Sequence, residues 1–235
     1  AIAGGNTVVV KPSAYTPHIC EVIERILRRA LPPGMASVIR GGRAENTALL
    51  EQRFDHIFFT GSPAVGRVVM EAASRYLTPV TLELGGKSPC FVDRTANIEK
   101  AARRILFGKL LNAGQTCVSV DYVYVHEDVR EQLIAALQAG IARALPSEQY
   151  RKSAFVKIIS PKHFSRLSGL IAGQRLLGAK GGGRAEDFLD RQTQQIKPVI
   201  VDNPSWDSPV MSEEIFGPIL PVLPFTDLEA TLADY

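Results

Sequence analysis

The sequence predicts an α/β fold with two lobes, a doubly wound parallel sheet followed by a second α/β lobe. Two observations predict it. Apolar residues in the first part of the chain alternate between strand and helix spacing, and the connections are only a few residues long, which is typical of βαβ units. The pair Gly85-Gly86 then interrupts this pattern. We therefore expect lobes that span residues 1–85 and 86–235.

The first lobe begins with a β-branched run at residues 6–10, which predicts a buried strand. Thr16-Pro17 supplies an N-cap and a proline at the first helical position, so a helix is expected to follow and to end near Leu31-Pro32. The further elements predicted for this lobe are strands at 35–39, 54–59 and 80–84 and helices at 45–52 and 65–76.

The second lobe continues the alternation less regularly. Residues 146–157 carry no clear pattern, and Gly181-Gly182-Gly183 predicts a flexible turn. The predicted strands are 89–92, 118–125, 198–201 and 219–223, and the predicted helices are 96–111, 129–145, 163–171 and one that begins after Thr226.

Composition excludes several classes of function. The 235 residues are 46% hydrophobic with a net charge of only +3, and Lys and Arg are scattered, so we expect no nucleic-acid partner. Cys20, Cys90 and Cys117 are widely spaced and form no CxxC, and the four histidines have no ligand spacing, which argues against disulfides and metal. We find no signal peptide or long apolar run and expect a cytoplasmic protein.

Cys117 is the first candidate for chemistry. It follows the small-residue turn Asn112-Ala113-Gly114, where a predicted helix gives way to a predicted strand. At such a junction the backbone N–H is not claimed by a ladder, which suits a nucleophile that must also stabilise an oxyanion. A lone cysteine is more often a buried structural residue, and this second interpretation stays open.

The second candidate is the turn from Gly61 to Gly66, where a buried strand leads directly into a helix. A helix N-terminus offers unpaired N–H groups to a phosphate, and the Ser62 hydroxyl can donate to one as well. The spacing lacks both the GxGxxG fingerprint and a P-loop lysine. Phosphate binding and plain turn chemistry therefore remain equal alternatives.

Two acidic positions complete the candidates. Glu83 lies in an apolar strand before the double glycine, where partial desolvation would raise its pKa as a general base requires. The plainer interpretation, which an isolated Glu favours, is a strand residue that faces solvent or Lys87. Glu213, Glu214 and Phe216 precede a Gly-Pro pair and could grip a ribose and press against a flat ring. The plainer interpretation of this segment is a capped helix end with a core phenylalanine.

These four motifs occur in one order on one α/β chain, and together they resemble the aldehyde dehydrogenase superfamily. Residues 77–90 and 216–221 are most similar to its class 3, fatty-aldehyde branch. The resemblance runs from Ala1 nearly to Tyr235. Because family members are considerably longer, it implies that the chain is truncated at both ends and that both lobes, a cofactor lobe and a thiol-bearing catalytic lobe, are incomplete.

The resemblance implies oxidation of aldehydes, either medium- or long-chain aliphatic or aromatic, to carboxylic acids with NAD or NADP. Cys117 would form a thiohemiacetal and then a thioester, and Glu83 would be the base that activates water to hydrolyse it. Lys11 would reach the adenosine ribose. The full set of implied cofactor-binding residues is Lys11, Gly61, Ser62, Val65, Gly66, Leu84, Glu214 and Phe216.

Within that set, the resemblance gives residues 61–66 the pyrophosphate, with Ser62 on a phosphate and Val65 against the adenine. Glu214 and Phe216 would position the nicotinamide ribose and ring. It further implies a homo-oligomer, a dimer, for the intact protein. Membrane association stays open, since fatty-aldehyde members can carry an anchoring tail.

Departures from the family pattern bear on cofactor choice and on activity. Many members have Glu where this chain has Ala14, and the loss of that carboxylate removes an obstacle to the 2′-phosphate of NADP. Ser119-Val120 replaces the usual Ala-Pro after the nucleophile, which is expected to loosen the turn, and residues 146–157 form a shorter region than usual.

The alternative function is an inactive remnant or isoform that at most binds nucleotide or associates with other subunits. A third interpretation, transfer of the acyl group to another acceptor, is weaker because Glu83 favours water as the acceptor.

Overall fold

The structure is a computed structural model that describes residues 1–233. The chain forms two compact units, Ala1–Leu84 and Gly85–Tyr235, which are described separately below. Both combine helices with mainly parallel strands, which confirms the predicted α/β class. No helix within residues 1–233 has the length and apolar content needed to cross a bilayer.

The first unit alternates strand and helix throughout. After a 3-10 turn at Ile2–Gly4, its elements are β1 (Val8–Val10), α1 (Pro17–Ala30), β2 (Ala36–Val38), α2 (Arg43–Leu50), β3 (Ile57–Thr60), α3 (Pro63–Ser74) and β4 (Val80–Glu83). β1 pairs with β2 and β3 with β4, both in parallel. In the second pair Thr60 lies opposite Glu83, so the carboxyl ends of β3 and β4 coincide. The turn that follows β3 therefore begins beside the last residue of β4.

The second unit is built on a six-stranded sheet. Its elements are β5 (Pro89–Val92), α4 (Ile98–Leu110), a 3-10 turn at Leu111–Gly114, β6 (Tyr122–His126), α5 (Glu127–Ala144), α6 (Glu148–Ala154), α7 (Pro161–Leu170), β7 (Leu176–Gly178), β8 (Gly181–Gly183), α8 (Ala185–Phe188), β9 (Leu189–Asp190), β10 (Gln195–Ile196), β11 (Val199–Asp202), α9 (Pro209–Ser212), β12 (Ile219–Phe225) and α10 (Leu228–Ala233). The predicted continuation of the last helix through residues 234 and 235 lies outside the described part of the chain.

The strand order in this sheet is β5-β6-β12-β11-β7-β8. Strands β5, β6, β12 and β11 are parallel to one another, whereas β7 and β8 add antiparallel pairing at one edge. Every residue of β6 is buried, as expected for a central strand covered on both faces. Val123 and Val125 join a core with Leu133 and Leu137 of α5, while Tyr122 joins a second core that contains residues of α7, β11 and β12.

Three predicted segments of the second unit differ from the structure. Strand β6 begins at Tyr122 rather than at residue 118, because residues 117–121 form turns and coil held by side-chain contacts. The three glycines predicted as a flexible turn are strand β8, since their backbone pairs with β7 without help from side chains. The unassigned region contains α6, which Ser147 caps by accepting a hydrogen bond from the Tyr150 N–H.

Candidate active site

In the first unit the turn after β3 is a capped helix start. The Gly61 N–H donates to the carbonyl of Glu83 at 3.0 Å, which continues the β3–β4 ladder by one residue. Ser62 is the N-cap of α3, where its side-chain oxygen accepts from the Val65 N–H at 3.4 Å and leaves the hydroxyl proton free to donate. Pro63 then fixes the first helical φ. This arrangement fits a phosphate at the N-terminus of a twelve-residue helix.

Both glycines of this turn allow close packing. A Cβ atom at Gly61 would lie 2.5 Å from the ring of Phe59, and one at Gly66 would lie 3.0 Å from a methyl carbon of Leu84. Leu84 thus packs under the first turn of α3, whereas Val65 is 47% exposed beside it. An exposed valine next to a helix N-terminus gives a flat apolar group a surface on which to rest. The residues present therefore fit a dinucleotide, the phosphates by their donors and a base by Val65.

Glu83 and Lys11 lie at the carboxyl ends of strands in the same unit. The Glu83 side chain is exposed, so the described residues do not desolvate its carboxylate. Lys11 follows β1, and its ammonium donates to the carbonyls of Pro12 and Gly41, each at 2.8 Å. The structure thus joins Gly61 with Glu83 through the backbone and ties Lys11 to a different loop. The roles predicted for these two residues stay predictions.

In the second unit the loop before Cys117 has unusual backbone geometry. Asn112, Ala113 and Gly114 have φ values of 50°, 54° and 71°, three left-handed residues in a row. Each non-glycine residue in that region costs about 1–2 kcal/mol. A Cβ atom at Gly114 would lie 2.3 Å from the carbonyl oxygen of Gly217, so only glycine fits there. Strain of this kind persists only where surrounding contacts hold it in place.

Side-chain contacts supply that support to the loop of residues 111–121, which we call the Cys117 loop. The Gln115 amide donates to the carbonyls of Asn112 at 3.0 Å and Lys157 at 3.2 Å, and its oxygen accepts from the Ile159 N–H at 2.9 Å. The Ser119 hydroxyl donates to the Gly108 carbonyl at 3.2 Å. An alanine at 119 could not make this last bond, so Ser119 anchors the turn through its hydroxyl.

Cys117 itself is exposed at the tip of this loop. Its turn is closed by the hydrogen bond from the Ser119 N–H to the Thr116 carbonyl, at 3.0 Å. Within residues 1–233, the Cys117 N–H donates to no protein acceptor. The two other cysteines are less accessible. Cys20 is buried, and Cys90 is half-buried, which raises the pKa of its thiol. Cys117 is therefore the thiol best placed to meet a solute, with a free donor on its own backbone.

The segment of residues 213–216, between α9 and β12, carries the other predicted site residues of this unit. Glu214 accepts from the Gly86 N–H at 3.3 Å, and a Cβ atom at Gly85 would lie 2.1 Å from its carboxylate, which explains one glycine of the pair. Burial raises the pKa of Glu214, and the Gly86 hydrogen bond opposes that shift. Glu213 pairs with Arg166 at 3.1 Å. The Glu213 carboxylate is thus held by an ion pair, whereas the Glu214 carboxylate is half-buried and accepts one backbone hydrogen bond.

Phe216 is not the core residue that the plainer interpretation predicted. It is 36% exposed with φ at 52°, whereas its neighbour Ile215 is fully buried. Arg166 of α7 donates to the carbonyls of Glu214 at 3.2 Å and Ile215 at 2.6 Å, which holds the backbone in this conformation. An aromatic ring kept at the surface by a strained backbone is suited to contact a ligand.

Three charged residues of this region were missed by sequence reasoning. Lys87 and Asp121 form an ion pair at 2.6 Å, and Lys109 of α4 is 2% exposed with no hydrogen-bond partner for its ammonium within the described residues. Burial lowers the pKa of Lys109 to about 8, against the opposing charge of Asp121. A charge inside an apolar helical stripe or strand-like run is the one signal that could have found Lys109 and Asp121.

Comparison with known proteins gives a family match over nearly the whole chain. The sequence model described as "Aldehyde dehydrogenase family" matches residues 1–234. The chain is 43% identical over 233 residues to 4,4'-diaponeurosporen-aldehyde dehydrogenase of Staphylococcus aureus, covering 99% of the chain and 50% of that protein. It is 40% identical to the rat "Aldehyde dehydrogenase, dimeric NADP-preferring", again covering 99% and 50%. The chain therefore spans about half the length of these relatives.

Solved structures agree with this match. The substrate-bound state of Staphylococcus aureus AldH superposes with a TM-score of 0.89 at 42% identity, covering 100% of this chain and 50% of that one. A Mycobacterium tuberculosis aldehyde dehydrogenase complexed with NAD+ superposes with a TM-score of 0.83 at 32% identity, covering 97% and 48%. The fold described above corresponds to about half of each.

Proposed function

Because this chain belongs to the aldehyde dehydrogenase family, we propose that it oxidises an aldehyde to a carboxylic acid with NAD or NADP. The observation that carries this proposal is the exposed Cys117, held at the tip of a strained loop with its backbone N–H free. The exposed sulfur is open to solvent and can therefore reach and attack a carbonyl carbon. The adjacent N–H can donate to the oxygen that becomes negative.

The proposed reaction proceeds in two stages. The Cys117 thiolate, its proton lost to water, bonds to the aldehyde carbon and the carbonyl oxygen becomes the anion of a thiohemiacetal. Loss of a hydride from that carbon re-forms the carbonyl and leaves a thioester. The oxidised nicotinamide supplies the hydride acceptor when bound. Glu83 then takes a proton from water, whose oxygen bonds to the thioester carbon, and the carbon–sulfur bond breaks to release the acid and the thiolate. The substrate we propose is a medium- or long-chain aliphatic or an aromatic aldehyde.

The proposed cofactor residues divide between the two units. In the first, Ser62 and the α3 N-terminus would bind the phosphates, with Gly61 and Gly66 allowing close approach, Val65 and Leu84 beside them and Lys11 on a ribose. In the second, Glu214 and Phe216 would hold the nicotinamide ribose and ring. One relative is named NADP-preferring and one neighbour is complexed with NAD+, so both cofactors are proposed.

The absence of a carboxylate at Ala14 supports acceptance of both cofactors. Binding of NAD and NADP to the purified chain tests this directly, by titration calorimetry. The proposal expects two dissociation constants within about tenfold of each other, since no acidic side chain at position 14 repels the 2′-phosphate. A preference for NAD of several hundredfold would contradict it. We also propose a homodimer, because the rat relative is named dimeric, and sedimentation equilibrium would test this.

Turnover is tested by mixing the chain with NAD or NADP and an aliphatic aldehyde and following reduced-cofactor fluorescence. The matched controls are Cys117→Ala and Cys90→Ala, which remove one thiol each. The proposal expects turnover by the wild type and by Cys90→Ala and none by Cys117→Ala. A wild type that is silent with every aldehyde would contradict activity of this chain and favour the inactive alternative.

A further inference from the structure

Asp121 ends the Cys117 loop and uses both carboxylate oxygens on other segments. One oxygen accepts from the Ile215 N–H at 2.9 Å, and the other pairs with the Lys87 ammonium at 2.6 Å. Its side chain is almost fully buried, at 4% exposure. Ile215 lies between Glu214 and Phe216 in the sequence. One buried carboxylate therefore connects the loop that carries the thiol with the segment that carries both proposed nicotinamide contacts.

Lys87 completes this connection from the other side. Besides Asp121, its ammonium donates to the carbonyl of Glu213 at 2.9 Å and to that of Val210 at 3.1 Å. All three protons of the ammonium thus have acceptors, two of them on the backbone around the 213–216 segment. Lys87 also follows Gly86, whose N–H binds Glu214. The ion pair therefore binds the 213–216 segment through both of its members, Asp121 at Ile215 and Lys87 at Glu213. Neither residue has to contact a substrate to do this.

We propose that Asp121 and Lys87 are positioning residues that lock the Cys117 loop to the 213–216 segment; their effect on catalysis rests on the function proposed above. The thiol and the cofactor contacts lie on segments about a hundred residues apart in sequence, so a fixed connection is needed to keep their geometry. Misplacement of reacting groups by about 1 Å can cost about a hundredfold in rate. Loss of the lock should therefore lower kcat more than it changes KM.

Hydrogen exchange followed by mass spectrometry tests the lock without any need for turnover. Asp121→Asn keeps an acceptor for the Ile215 N–H and loses the charge, Asp121→Leu loses both, and Lys87→Met removes the cation. The matched control is Asp202→Asn, which breaks a buried ion pair of the same unit with Arg130 and Arg175, at similar burial. The proposal expects faster exchange in residues 118–121 and 213–216 together, more in Asp121→Leu than in Asp121→Asn, and neither change in the control.

Exchange confined to residues near the substitution would overturn the proposal, as would equal loosening in Asp202→Asn. If the single variants do not fold, the double variant Lys87→Met with Asp121→Leu removes both charges.

Steady-state kinetics distinguishes a positioning role from a role in stability alone, because only the positioning role predicts a lower kcat in a folded variant. In an active enzyme we expect kcat of Asp121→Leu to fall at least about tenfold, with KM for aldehyde and cofactor changed less than about threefold. Asp202→Asn should keep both within about twofold. Unchanged kcat in a folded Asp121→Leu variant would overturn the positioning role. An inactive wild type with joint exchange in the two segments would instead count against the proposed function alone.

Discussion

The Gly61 turn and the Cys117 loop join the same kinds of element and are held in different ways. The Gly61 turn is held by its own helix and by the strand beside it, with Ser62 capping α3 and the Gly61 N–H bound to the Glu83 carbonyl at the end of β4. The Cys117 loop has three consecutive left-handed residues and is held by hydrogen bonds to Lys157 and Ile159, which are distant in the sequence. The turn proposed to bind phosphate thus depends on a helix cap and one ladder bond. The strained backbone before the exposed Cys117 depends instead on side-chain contacts with residues distant in the sequence.

The comparison predicts that the same substitution has unequal effects at the two sites. Gly114→Ala should lower the free energy of unfolding by more than about 3 kcal/mol, because the new methyl meets the Gly217 carbonyl and φ is positive. Gly66→Ala is the matched control. There the methyl meets the movable ends of the Leu84 and Leu82 side chains, and the gain in helix propensity of about 1 kcal/mol offsets the crowding. Urea unfolding measures both, and equal losses would break the comparison.

The buried Lys109 gives a pH-dependent prediction for the second unit. Its folded pKa of about 8 lies below the ordinary 10.5, so the unfolded chain binds more protons between these values and stability should rise as pH increases from 8 to 10.5. Lys109→Met should be more stable than the wild type by about 3 kcal/mol at pH 7, since each pKa unit corresponds to about 1.4 kcal/mol. That difference should shrink toward pH 10.5.

Thermal or urea unfolding at several pH values measures this effect. Lys87→Met is the control, because its ammonium is paired and its removal leaves the buried Asp121 carboxylate without its cation. That variant should be less stable than the wild type. A Lys109→Met variant that is less stable at pH 7, or a difference that does not change with pH, would show that the ammonium is not an unpaired buried charge.

The smallest effect is expected at the Gly61 turn. Ser62→Ala removes the N-cap of α3 and should cost about 1 kcal/mol of stability, and it should also weaken NAD and NADP binding if Ser62 contacts a phosphate. Ser147→Ala removes a similar cap from α6, far from the proposed cofactor contacts in sequence. Both variants should lose similar stability in urea, and only Ser62→Ala should lose affinity in calorimetry. Equal cofactor affinity in the two would remove Ser62 from the cofactor site.

The same difference explains what the sequence could predict. The turn at Gly61 and a strand at residues 80–84, which ends at Glu83 in the structure, follow from residues close in the chain, and both were predicted. Ser62 was predicted as a phosphate donor and not as the N-cap of α3. The start of β6 was placed four residues early, because the Ser119 N–H binds the Thr116 carbonyl and the Ser119 hydroxyl binds the Gly108 carbonyl, which keeps this segment in a turn. Strand β8 was missed because its glycines pair through the backbone alone. No spacing rule joins Asp121 with Lys87, since the two residues lie 34 positions apart on different segments.

The most direct test of the account is mass spectrometry of Cys117 during a single turnover of Glu83→Gln. This variant keeps the proposed nucleophile and lacks the proposed base, so the thioester should form and remain. The account predicts one equivalent of reduced cofactor and a Cys117 peptide that has gained the acyl group in place of the thiol hydrogen, with Cys90 unmodified. Steady turnover without an acylated Cys117, or acylation of Cys90 instead, would contradict it.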